Sequence, residues 1–406
     1  MKSGLDDAAN KPKILISRRT AGLLLGSCLA APAGVFASAG PLTNEIVARS
    51  QLSAGDSGRL MNVFAKAHRG EPVTLGVIGG SITVGAFATT RENSYAGRVL
   101  AWWREQFPRC EIRMVNVGVG GTGSMYGALR AGKDLLSSAP DFVVIEFAVN
   151  DNWTDGEAFE GLVRQILAQP NLPAVLLLFM MWEKGGNDQE MQAKVGAHYH
   201  LPMVSFRDAL WPEMAAGRLK WSDYIVDTVH PTDAGHAAAA RFITTMCHNA
   251  LHAAPAAKTS AENSLPSPLF SDAFQHVGWR DAAALAPLEN EGWRLDFGNN
   301  DIPAWNSVGT PGRISFDWSG TGLVAVFAAD AAYDPRRIRF CIDGGSFQTL
   351  NVLKQPKRPI IVLAQNLAPG RHTVELACAD DEGSSSAIDQ VRLLGIGSIG
   401  VTQVTR

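Results

Sequence analysis

The sequence predicts an α/β domain built on a parallel sheet covered on both faces, followed by a C-terminal β-sandwich. From about Glu71 to Ala250, short continuous apolar runs alternate with longer stretches of helical periodicity. This is the pattern of strands buried on both faces by crossover helices. Residues 253–269 are rich in Ala, Ser and Pro, a composition that buries little surface and reads as a linker. Beyond them, short alternating strands punctuated by Gly-rich turns, with almost no helical pattern, argue for a sandwich. The length of 406 residues also favours two domains over one. The expected boundaries are 1–39 for a targeting segment, 40–252 for the α/β domain, 253–269 for the linker and 270–406 for the sandwich.

The first strand is the run Val73–Ile78, which leads into Gly79-Gly80. Further strands are expected at Ile112–Val117, Phe142–Phe147, Ala174–Met180 and Met203–Phe206, with helices over 94–106, 123–137, 155–168 and 187–200. An Ala-rich helix from Asp233 to Cys247 closes the domain. In the helix 94–106, Tyr95, Val99, Trp102 and Trp103 fall on one stripe, as a helix packed on a sheet requires. The sandwich strands are expected at Arg313–Trp318, Leu323–Phe327, Arg337–Ile342, Ile360–Leu363, His372–Leu376 and Ile388–Leu394.

Composition excludes some functions. Hydrophobic residues make up 46% and charged residues 18%, enough apolar material for sizeable cores and not the balance of a disordered chain. A net charge of −3 with no long basic run argues against a nucleic-acid partner. At the N-terminus, Lys11, Lys13, Arg18 and Arg19 precede a moderately apolar run from Ala21 to Ala31, and Ala37-Ser38-Ala39 offers a cleavage site. The run is too short and too rich in Gly and Ala to serve as a membrane span. Ser17-Arg18-Arg19-Thr20 resembles a twin-arginine signal, with an ordinary secretory signal as the alternative. A lipoprotein box at Leu25-Gly26-Ser27-Cys28 would leave a very short apolar region. The mature chain is expected outside the cytoplasm, in the periplasm or secreted, without a transmembrane span. It would keep Cys110, Cys247, Cys341 and Cys378, paired within each half or held as buried thiols. No Cys or His spacing suggests a metal site, and no cofactor is expected.

Four stretches of the α/β domain carry candidate chemistry. Gly79-Gly80-Ser81-Ile82-Thr83 follows the first strand directly, so Ser81 lies at a strand's carboxyl end, where open α/β sheets place ligands. The stretch is not the G-x-S-x-G elbow, because Thr83 stands at the last glycine. Asp227-Thr228-Val229-His230-Pro231 precedes the closing helix. A hydroxyl nucleophile needs a base, and the base a partner that fixes its tautomer, and this spacing delivers both from one loop. The bland reading is a capping Asp beside a surface His. His236 reads as structural, and His198 and His200 as helix-end or loop residues. Asn116-Val117-Gly118-Val119-Gly120-Gly121 and Ala148-Val149-Asn150-Asp151 follow the second and third strands. A glycine N–H and a side-chain amide are the donor types that hold developing negative charge. A turn or cap is the alternative for Asn150-Asp151.

In chain order (serine, glycine, Asn-Asp and Asp-x-x-His) the four stretches resemble the blocks of the SGNH (GDSL-type) serine hydrolases, over roughly residues 71–245. The resemblance implies a flavodoxin-like three-layer fold with Ser81 as nucleophile, His230 as base and Asp227 as its orienter. It further implies Ser81, Gly121 and Asn150 as oxyanion donors. Two departures stand out: Gly-Gly-Ser-Ile replaces Gly-Asp-Ser-Leu, a form similar to the branch that includes carbohydrate acetylesterases, and Ala148 replaces the usual glycine. Gly55-Asp56-Ser57-Gly58 spells the family motif but precedes a helix with no strand expected before it, and is set aside as a decoy.

The function expected from these readings is an exported serine esterase that O-deacetylates a polysaccharide or another carbohydrate ester, with lipid esters as other substrates. The alternatives are a glycan O-acetyltransferase using the same residues and a catalytically silent glycan-binding protein. Trp279, Trp293, Trp305 and Trp318 of the second domain are read either as stacking faces for sugars or as core aromatics.

Overall fold

The structure is a computed structural model that describes residues 42–151, 156–253, 264–297, 302–308, 312–328, 338–350, 359–378 and 391–401. The expected targeting segment and residues 254–263 of the expected linker lie outside the described residues, as do the expected strand starts Arg337 and Ile388. No helix of the described residues is long and apolar enough to cross a membrane.

The α/β region runs α1 (Asn44–Ser50), β1 (Gln51–Ser53), α2 (Gly58–His68), β2 (Val73–Gly79), α3 (Ser81–Val84), α4 (Tyr95–Gln106), β3 (Ile112–Asn116) and α5 (Ser124–Asp134). It continues through β4 (Phe142–Glu146), α6 (Glu157–Leu167), β5 (Ala174–Phe179), α7 (Gln189–His198), β6 (Met203–Ser205), α8 (Phe206–Ala215), α9 (Trp221–Tyr224) and α10 (Asp233–His252). The sheet order is β1-β6-β5-β4-β2-β3, with every pairing from β3 to β6 parallel. This is the doubly wound order of the flavodoxin type. The connection reverses between β2 and β4, opening a crevice at their carboxyl ends.

The strands are two-sided, as their unbroken apolar runs require. Phe142 and Val144 of β4 pack with α2, α4 and α10 on one face, while Val143 and Ile145 pack with α5 and α6 on the other. Caps set the helix starts: the Ser94 hydroxyl accepts the Gly97 N–H before α4, and that of Thr232 accepts the Gly235 N–H before α10. The closing helix runs on to His252, past the expected end at Cys247.

One expectation needs correction. The sheet is not wholly parallel, because β1 pairs antiparallel with β6 at its edge. Gln51-Leu52-Ser53 is short and largely solvent-facing, so it carries no apolar run to read. Gly55-Asp56-Ser57-Gly58 therefore does follow a strand, contrary to the reason given for setting it aside. Its geometry is that of a turn into α2 at the far edge of the sheet. Gly55 has φ +55°, and a Cβ there would lie 2.3 Å from the Leu201 carbonyl carbon. The Asp56 carboxylate accepts the Gly58 N–H at 2.7 Å.

The C-terminal region contains β7 (Val277–Asp281), β8 (Glu289–Glu291), β9 (Trp293–Asp296), β10 (Ala304–Ser307), β11 (Arg313–Gly320) and β12 (Gly322–Ala328). They are followed by β13 (Ile338–Ile342), β14 (Gln348–Thr349), β15 (Ile360–Ala364), β16 (Gly370–Cys378) and β17 (Arg392–Ile399). Two antiparallel sheets result, β15-β12-β17-β10-β9 with β7 beside β17, and β14-β13-β16-β11-β8. Ile314, Phe316, Phe340, Val374 and Leu376 of one sheet meet Leu323, Ala325, Phe327 and Leu393 of the other in one core. Trp293, Trp305 and Trp318 belong to that core, and Trp279 packs edge-on against Tyr126 of α5. For Trp293, Trp305 and Trp318 the stacking-face reading gives way to the core reading, while Trp279 is half-buried. Cys110, Cys247, Cys341 and Cys378 are all buried.

The sandwich also shares a core with the α/β region. Val324 and Val326, on the outer face of β12, join Leu394 and Ile399 of β17 against the cluster of α5 and α6. Glycines make the approach possible. A Cβ on Gly397 of β17 would lie 2.4 Å from Leu129 of α5, and one on Gly161 of α6 would lie 2.3 Å from Phe274.

Candidate active site

The serine turn is built by close approach. A Cβ on Gly79 would lie 2.1 Å from the Thr83 hydroxyl, and one on Gly80 would lie 2.3 Å from Asn150 Oδ1. No side chain fits at either position, so the chain turns sharply out of β2 and presents Ser81 as the first residue of α3. Thr83, which displaces the elbow's last glycine, is buried and points inward.

The second part is the loop 225–232. Ile225 bridges to Pro231, and the Val226 N–H donates to the His230 carbonyl at 2.8 Å. Within this loop the Asp227 Oδ1 atom accepts the N–H groups of Val229 and His230, each at 2.8 Å. Its Oδ2 atom accepts from His230 Nδ1 at 2.7 Å. The Trp221 indole N–H donates to the Asp227 carbonyl at 2.8 Å, and the Glu183 N–H donates to that of Thr228 at 2.7 Å. Burial acts to raise the Asp227 carboxyl, but the bonds from His230 and Val229 outweigh it and hold it below the usual carboxylate value.

The two parts meet at the crevice. Ser81 Oγ lies 2.8 Å from His230 Nε2. Since Nδ1 carries the proton donated to Asp227, Nε2 is left to accept from the serine hydroxyl. The result is a row from hydroxyl to imidazole to carboxylate, with the His230 side chain 22% exposed.

The glycine and Asn-Asp stretches lie against the serine turn. Gly120 flanks it, with a Cβ there lying 3.5 Å from the Ser81 Cβ. Gly121 has φ +70° and nothing within 4 Å of where a side chain would project, which leaves open space beside the turn. The Asn150 amide lies against Gly80. Asp151 ties these two loops together: its carboxylate accepts the Ser124 N–H at 2.6 Å and the Gln192 amide at 2.7 Å. Burial raises the Asp151 carboxyl to about 6 against those bonds. Ala148 is buried and lies outside the positive-φ residues, so its methyl demands nothing a glycine would have to supply.

Sequence reasoning missed a buried chain beneath the serine turn. Thr83 Oγ1 donates to Glu146 Oε2 at 3.0 Å, so the Tyr95 hydroxyl, 2.8 Å away, donates to Thr83. Burial pushes the Glu146 carboxyl up to about 8, with the Thr83 bond opposing. His236, read as structural, accepts the Tyr95 N–H at Nδ1 and donates from Nε2 to the Ala86 carbonyl at 3.0 Å. Glu146 closes an otherwise apolar strand and Tyr95 lies on an apolar stripe. Only the polar residue inside each run hinted at a network.

Residues 77–238 match the model of the GDSL-like lipase/acylhydrolase family. Residues 77–238 thus form a domain of this GDSL-like (SGNH) type. The chain is accordingly a carboxylic ester hydrolase. Among solved structures it is similar to a two-domain esterase active on acetylated mannans, at 28% identity and a TM-score of 0.78, over 88% of this chain and 99% of that one. The same esterase co-crystallised with mannopentaose matches at 28% identity and a TM-score of 0.77, over 88% and 98%. No curated protein matches the sequence significantly.

Proposed function

We propose that this SGNH hydrolase is an exported esterase, periplasmic or secreted, that removes acetyl groups from a polysaccharide through Ser81, His230 and Asp227. The observation that carries the reading is the hydrogen-bonded row of 2.8 Å and 2.7 Å linking these three side chains. The likeness to an esterase active on acetylated mannans, across both regions of the chain, supports an acetylated glycan as substrate.

In this mechanism Ser81 Oγ attacks the ester carbonyl while His230 Nε2 takes its proton. Asp227 stabilises the resulting imidazolium and holds its orientation. The Ser81 N–H, the Gly121 N–H and the Asn150 amide hold the oxyanion, each donor being worth about 3 kcal/mol of transition-state stabilisation. His230 then protonates the departing sugar oxygen, which leaves as a hydroxyl while the acetyl group stays on Ser81. Water attacks that ester, His230 again relays the proton, and acetate leaves.

Acetate release from acetylated mannan and other acetylated polysaccharides, compared between the wild type and S81A, tests the reading. Full activity in S81A would overturn it. Transfer of the acetyl group to an added glycan acceptor, in place of free acetate, would favour the transferase alternative.

A further inference from the structure

Phe87 is an exposed aromatic beside the candidate base, held there by backbone bonds and not by burial. Its ring centroid lies 5.4 Å from that of His230, at an interplanar angle of 42°. The residue is 56% exposed, so packing does not explain its position. Its φ of 61° is a conformation that bulky L residues rarely adopt.

The backbone on both sides is pinned. The Ala86 N–H donates to the Ser81 carbonyl at 3.0 Å, and the Ala86 carbonyl accepts from buried His236 at 3.0 Å. The Ala88 N–H donates to the Gly85 carbonyl at 3.1 Å. Thr89 donates from its N–H and its hydroxyl to the Asp233 carboxylate at 2.9 and 2.6 Å. Strained backbone over-determined by its surroundings, with a side chain left in solvent, is a sign of function. Two more exposed apolar residues accompany the site: Val84 ends the helix that Ser81 begins, and Val226 immediately precedes Asp227.

Chemistry says which part of the substrate meets this ring. The base that takes the Ser81 proton must return it to the leaving alcohol, so the alcohol oxygen lies within hydrogen-bond reach of His230. The acyl oxygen points away, toward the Gly121 and Asn150 side. A group beside His230 therefore faces the alcohol. We propose that Phe87 is the platform for the sugar ring that bears the scissile ester, its electron-rich face meeting the C–H bonds of a pyranose. This rests on the esterase reading above and names the substrate contact that would confer selectivity for a carbohydrate alcohol.

The test compares kcat/KM on an acetylated oligosaccharide with kcat/KM on ethyl acetate, whose alcohol has no ring, for the wild type and the F87A, F87N and F87W variants of the full chain. The loss on the oligosaccharide in F87A and F87N is expected to exceed the loss on ethyl acetate by about tenfold, the scale of one aromatic contact. F87W is expected to restore selectivity. Asn tolerates positive φ, so F87N should melt at or above the wild-type temperature, which separates lost recognition from lost folding. Equal losses on both substrates, or no loss on either, would overturn the proposal. Absence of wild-type activity on both would instead remove the esterase reading, and this proposal with it.

Discussion

The Glu160 carboxylate on α6 accepts the backbone N–H of Phe270 at 2.7 Å. The N–H groups of Leu269 and Ser271 and the Tyr199 hydroxyl converge on the same carboxylate. Arg164, one turn along α6, holds the Pro266 carbonyl at 2.8 Å and Gln275 at 2.6 Å. The segment entering the sandwich is thus bound to a helix of the α/β region by a charged side chain that is itself fully buried.

Burial acts to raise the Glu160 carboxyl, but the donors around it prevail and hold it below the usual value. A depressed carboxylate contributes stability that is present above its unfolded value and lost as pH falls through its folded one. E160Q is expected to lower stability by about 2–3 kcal/mol at neutral pH. The gap between its melting temperature and that of the wild type should narrow in acid. A gap that widens in acid would show that the carboxylate is not held in its charged form.

Glu146 should behave in the opposite sense. Its folded value of about 8 lies above its reference of 4.5, so between those values the folded chain keeps a proton the unfolded chain has lost. Raising pH across that window lowers stability, and the loss levels off above it. E146Q can still accept from Thr83 but cannot ionise. Its melting temperature should gain on the wild type as pH rises from 4.5 to 8, as melting curves across that range would show.

Asp227 accepts both the His230 imidazole and the His230 N–H, so it sets the tautomer of the candidate base as well as the shape of the loop. D227N would place an amide donor against Nδ1 and favour the proton on Nε2, where it cannot accept from Ser81. Deacetylation is expected to fall by about three to four orders of magnitude in kcat. Circular dichroism should remain unchanged, because an Asn oxygen still serves the two backbone donors.

The α/β fold was legible because β2, β4 and β5 are unbroken apolar runs, whose two-sided burial leaves a strong signal. The candidate site was legible because Ser81, Gly121, Asn150 and His230 each sit just past such a run or just before a capped helix. Phe87 was not, since its position rests on a backbone angle and on the bonds that its neighbours Ala86 and Thr89 make with His236 and Asp233, far along the chain. Glu160 and Arg164 were hidden inside a helical pattern. Charged residues on a helix ordinarily read as its solvent face, yet here every residue from Ala158 to Leu167 is buried. The strand β17 was expected to stop at Leu394, just before Gly395 and Gly397. The structure carries it on to Ile399, the glycines making room for Trp279 and Leu129.

The strand β12 turns Leu323, Ala325 and Phe327 to one core and Val324 and Val326 to another. Neighbouring residues of a single strand thus answer to different masters, one the partner sheet and the other the helices of the hydrolase. Such a module cannot leave without uncovering what it packs against. Its exposed face, once freed, would be an apolar surface, and the hydrolase would be left with the matching wound.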